Sequence, residues 1–158
     1  GLYNPRSSQT EPFSYYFAIE KSYSSPIPYN QLKNFNSYTN SLEIATINYS
    51  SDGQKAKITI SSDVGGINTD FSFKNTTGQS FTHKLAFQPT LLAGEVKEIT
   101  PTTRSFTSSK QPKHSPIGDY KELQVLEGKI KLFIPPGTTP PVGGTYKSTI
   151  YVLVEPTT

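Results

Sequence analysis

The 158-residue chain has no cysteine, no methionine and no tryptophan. Without cysteine there is no disulfide, no thiolate nucleophile and no cysteine-ligated metal. Arginine occurs only at Arg6 and Arg104, and histidine only at His83 and His114. Two guanidinium groups are few for bidentate contacts to phosphates or bases. The net charge of +3 is spread along the chain, with only Lys110, Lys113 and His114 close together. No nucleic-acid partner is therefore expected, only a mildly basic surface. No apolar run approaches the roughly 18 residues of a membrane-spanning helix, so no membrane span is expected either. The first residue is Gly1 rather than methionine, as in a processed chain whose signal peptide has been removed.

Hydrophobic residues make up 33% of the chain, and Ser, Thr, Asn, Gly and Pro fill the difference. That balance points to an all-β protein with many turns. Ten Tyr and nine Phe compensate for the scarce aliphatic residues, since each aromatic ring buries a large area. One domain is the natural expectation at this length. Residues 1–12 read as a flexible lead-in, and 13–158 as a single β-sandwich.

The organising stretch is Lys129–Thr158. Ile130, Leu132 and Ile134 alternate on one strand face; Ile150, Val152 and Val154 alternate on another, with Tyr151 and Leu153 opposite. Apolar residues on both faces predict a strand covered on both sides, or one whose second face meets a partner. Pro135, Pro136, Pro140 and Pro141 exclude regular structure between the two runs. Gly143 and Gly144 allow the turn, so the end of the chain reads as a long-looped hairpin.

Upstream, Phe13, Tyr15, Phe17 and Ile19 alternate in a first strand. Residues 22–41 read as a packed loop, with a short helix over Tyr29–Phe35 as the alternative. Ser41–Tyr49 is a strand whose apolar phase shifts near Ala45 and Thr46, which predicts a bulge. Ser51-Asp52-Gly53 signals a hairpin into Lys55–Ser61, with Ala56, Ile58 and Ile60 inward. Asp63–Gly66 breaks the chain, and Phe71 and Phe73 resume it. After a turn at Asn75–Gly78, the next strand has Phe81, His83, Leu85 and Phe87 in phase. A strand lies within Leu91–Phe106, and Ser108–Asp119 reads as an exposed mobile loop. Tyr120–Ile134 forms one long strand or two meeting at Gly128, itself a candidate bulge. Eight or nine short strands favour an antiparallel, immunoglobulin-like β-sandwich.

Catalytic constellations are not apparent. His83 lies in phase with core residues, and nothing near His114 would orient it. No Gly-x-Ser-x-Gly, no Walker A sequence and no close pair of metal ligands occurs. The twelve acidic residues stand singly. The chain reads as a non-enzyme, with no catalytic residue, no metal and no cofactor. Asn48-Tyr49-Ser50 and Asn75-Thr76-Thr77 match glycosylation triplets, which a chain rich in these residues contains by chance.

Gly144-Thr145-Tyr146-Lys147-Ser148, followed by an alternating terminal strand, resembles the C-terminus of bacterial fimbrial subunits of the chaperone–usher type. Lys55–Pro89, an apolar strand, a Gly-containing crossing and an aromatic-rich hairpin, is similar to the same family. The absence of cysteine suits the pilin groups that lack a disulfide. The resemblance implies a secreted or cell-surface subunit, exported through the periplasm and assembling by β-strand addition. Identical or related subunits, an assembly chaperone, and a host glycan or receptor are the implied partners. Phe13, Tyr15, Phe17 and Ile19 are then candidates for strand exchange, or else an ordinary first strand. The alternative function is a secreted ligand-binding sandwich, for example one that binds carbohydrate. Tyr15, Tyr16, Tyr23, Tyr29 and Tyr38 form the pool for its aromatic platform.

Overall fold

Alternation along the strands decides which faces meet, and two antiparallel sheets result. The computed structural model describes residues 15–24, 26–62, 71–90, 95–114 and 120–157. In chain order the elements are β1 (Tyr15–Lys21), the one-turn helix α1 (Tyr29–Leu32), β2 (Leu42–Ser51), β3 (Ala56–Ser62), β4 (Phe71–Lys74) and β5 (Ser80–Pro89). There follow β6 (Lys97–Glu98), β7 (Ser105–Thr107), β8 (Ser109–His114), β9 (Tyr120–Phe133) and β10 (Ile150–Pro156). One sheet runs β1-β2-β9-β5-β4, with β6 beside β5 and β8 beside β9; the other runs β10-β3-β7. The protein is an antiparallel β-sandwich. Its ten described strands slightly exceed the expected eight or nine, because β6 and β7 are only two and three residues long.

The central element is β9, not the terminal strand. Its fourteen residues pair with β2 along one side; on the other side β8 takes its first half and β5 its second. It crosses Gly128 without a register shift, so the expected bulge is not there. Glycine is needed for another reason: a Cβ at this position would lie 2.6 Å from Phe87 Cε1 and 2.8 Å from the Gln88 carbonyl oxygen. The shift occurs on β2 instead, between Glu43 and Ala45. That is one step before the expected place, and it turns both Ile44 and Ala45 inward.

Two expected hairpins are crossovers between the sheets. The turn after Ser51 forms, with Gly53 at φ 110, but β2 and β3 belong to different sheets. Their apolar faces pack across the core, and the Tyr49 hydroxyl donates to the Gln54 carbonyl at 2.6 Å over the turn. Likewise β9 and β10 do not pair, and the proline-rich segment carries the chain from one sheet to the other. The β4–β5 hairpin forms as expected. In the 22–41 segment a packed loop and one helical turn coexist, with Leu32 buried and the Tyr29 hydroxyl donating to the Thr138 carbonyl. The core between the sheets holds Phe17, Ile47, Tyr49, Ile58, Ile60, Leu85, Phe87 and Ile130.

The stretch expected to be a mobile loop contains β8, which pairs with β9 from Ser109 to His114. Its residues are polar because it is an edge strand, and Pro112 is tolerated there because an edge leaves one side of the ladder unused. Ser108 is the pivot between β7 in one sheet and β8 in the other. It is buried; its N–H bonds the Ala56 carbonyl at 2.8 Å, and its hydroxyl accepts from the Ala56 N–H and donates to Gln124.

Candidate functional site

Among the described residues β10 pairs with β3 alone and stands at the end of its sheet. One of its faces packs on the core through the half-buried Ile150, Val152 and Val154. The other face leaves Tyr151 53% and Leu153 54% exposed, the two most exposed large hydrophobic residues described. This corrects the expectation of a strand buried on both faces: the second face is exposed. Exposed apolar side chains beside an open edge present a template for another strand.

The start of this strand is fixed by its neighbours. Lys147 exchanges two backbone bonds of 2.8 Å with Lys74, tying the chain to the end of β4. The Ser148 hydroxyl lies 3.0 Å from His83 Nε2. His83 is fully buried, with Phe73 at 4.2 Å and Phe71 at 5.7 Å between ring centroids. Its Nδ1 has no hydrogen-bond partner. Burial holds its pKa down at about 4, and the Lys84 backbone opposes that only in part. A serine beside a histidine is the contact of a nucleophile and its base. Here the base is weak, sealed from solvent and without a third group to orient it. The pair acts as an anchor, holding Ser148 so that β10 leaves the loop in fixed register. Tyr146 adds to this, donating to the Val142 carbonyl at 2.8 Å and meeting Phe81 edge-on.

The sequence-predicted residues are placed as follows. Phe13 lies outside the described residues, as do Asp63–Gly66. Tyr15, Phe17 and Ile19 belong to β1, which pairs with β2 over its full length, with Phe17 in the core. The four Tyr rings described do not form a stack. Tyr16 is exposed on β1 and Tyr38 in the loop after α1, while Tyr23 and Tyr29 pack against the core. No ring contact joins any two of them; the contact of Tyr29 is with Phe81, at 6.1 Å. A separate cleft of about 480 Å³ opens where β9 passes from β8 to β5, with Phe87, Phe106, Val125, Leu126, Lys97 and Glu127 in its lining. Among the described residues no cluster of His, Asp or Glu could hold a metal, and no helix is long and apolar enough to cross a membrane.

The sequence contained the apolar alternation of β10 but not its place in the sheet. A usable signal was Pro156, in phase with Ile150, Val152 and Val154 and unable to donate to a ladder. No family model matches the chain, and no characterised protein or solved structure matches it.

Proposed function

We propose that this chain is a non-catalytic structural or adhesive subunit of a cell-surface assembly, which joins its partners by β-strand addition. The observation that supports the reading is the open edge of β10, bordered by exposed Tyr151 and Leu153. In this reading a strand of an identical or related subunit extends the β10-β3-β7 sheet, and an assembly chaperone covers the edge during export. Main-chain bonds supply the affinity, and the apolar side chains set the register.

Amide hydrogen exchange tests it. The Ile150, Val152 and Val154 amides of the dilute protein should exchange quickly. A strand-forming peptide copying residues 12–21, or one copying 147–156, should slow them by roughly tenfold or more. Amides that neither peptide nor concentrated protein protects would end the strand-addition reading. The ligand-binding alternative has the cleft beside Phe87 and Phe106 in its favour. Resonance shifts of Val125 and Leu126 on titration with a glycan library would support it.

A further inference from the structure

The open edge of β10 is complementary to itself. Burial alternates without a break from Tyr146 to Glu155. Lys147, Thr149, Tyr151, Leu153 and Glu155 face outward; Tyr146, Ser148, Ile150, Val152 and Val154 face inward. The backbone follows the same parity. Lys147 bonds Lys74, and the Thr157 N–H donates to the Lys55 carbonyl at 2.8 Å. On β3, Ala56 and Ile60 turn toward Ser108 and Arg104, which leaves Lys57, Thr59 and Ser61 to bond Glu155, Leu153 and Tyr151. Tyr151, Leu153 and Glu155 therefore bond β3 in their own sheet, while Lys147 bonds Lys74 at the end of β4 in the other. Ser148, Ile150, Val152 and Val154 hold their N–H and C=O groups toward the open side, and no described residue bonds them there. Pro156 is next in phase and has no N–H, so the free ladder stops at Val154.

We propose that the occupant of this edge is a second copy of the chain, with two β10 strands antiparallel about a two-fold axis at Tyr151. The proposal rests on the strand-addition reading above and narrows it to one partner. In this register Ser148 pairs with the partner's Val154, and Ile150 with the partner's Val152, each twice by symmetry. All four free N–H and all four free C=O groups on each copy are then bonded. The outward row agrees. Lys147 and Glu155 lie equally far from Tyr151, so the two-fold sets Lys147 opposite the partner's Glu155 on both sides. Thr149 meets the partner's Leu153, and the two Tyr151 rings meet at the axis. Neither Lys147 nor Glu155 has an ion pair to a described residue within one copy. A shift of two residues either way loses both charge pairs, and a parallel arrangement sets like charges together. The joined sheet ends on both sides in β7, three residues long, which offers little edge for a third copy.

Sedimentation equilibrium tests the proposal on the whole chain. The parent should dimerise reversibly, and added salt should weaken the dimer by screening the exposed charge pairs. K147E alone or E155K alone places like charges opposite each other and should weaken it by roughly tenfold. The K147E/E155K double variant should restore parent affinity, because both pairs re-form with reversed sign. All these side chains face outward, so folding is retained and circular dichroism verifies it. A dimer indifferent to either single change overturns the register. A parent that stays monomeric at the highest soluble concentration, with its edge amides still protected by a strand-forming peptide, overturns self-pairing alone. A monomer whose edge amides no peptide protects overturns strand addition as well.

Discussion

His83 shows how one buried ring links composition to pH dependence. It sits between Phe71 and Phe73, its Nδ1 is without a partner, and its pKa is held near 4 against an ordinary 6.5. Between these values the unfolded chain binds a proton that the folded chain refuses. Stability is therefore full above pH 6.5 and falls as pH is lowered toward 4, by about 3 kcal/mol in all. Urea melts across this range should show the slope, and His83→Leu should remove it while lowering the baseline through loss of the Ser148 bond. A parent melt as steep at pH 4 as at pH 7, with an unchanged midpoint, would contradict the assignment. Gly128 is the second residue with a sharp expectation. An added Cβ meets the Phe87 ring, so Gly128→Ala should cost about 1–3 kcal/mol. Phe87→Leu should make the same change less costly, and a double-mutant cycle of thermal melts measures that coupling.

At the level of strands, local alternation was a good guide to where strands lie and a poor one to which strands pair. Ala56, Ile58 and Ile60 turn inward as expected, and so do Phe81, His83, Leu85 and Phe87. Pairing escaped because a tight turn such as Ser51-Asp52-Gly53 can join strands edge to edge or carry the chain across the core. The residues of the turn are the same in both cases. β8 escaped because nothing in SKQPKH marks it as a strand; its order comes from β9, which it borders from Ser109 to His114. β10 was legible as a strand but not as an edge, since its apolar outer face matches that of a covered strand. A pair of substitutions separates the two cases. Val152→Asp buries an unpaired charge against Ile60 and should cost about 2 kcal/mol or more. Leu153→Asp, on the exposed face, should stay within about 0.5 kcal/mol. Equal and large losses in chemical melts would return β10 to the interior. The candidate site was thus half readable: its apolar row lay in the sequence, but its open side depended on the topology.

For the molecule as a whole, two sheets share one core and are stitched together at Ser108. Removing that hydroxyl should show how much the stitch is worth. Ser108→Ala leaves the Ala56 N–H and the Gln124 side chain without their partner, an expected loss of about 1–3 kcal/mol by urea denaturation. The pairing of β10 with β3 also has a consequence in time. Each residue of β3 waits for a partner about 90 to 100 positions further along the chain, so this contact is among the most distant the fold makes. A chain emerging from its N-terminus presents the apolar Ile58 and Ile60 strand bare on one side until β10 has been synthesised. Folding should accordingly be slow, and its late phase should be the closing of this gap. Stopped-flow refolding should show a dye-binding intermediate that decays as the β3 amides become protected. Throughout that waiting period the bare side of β3 can take up any strand that reaches it before β10 does.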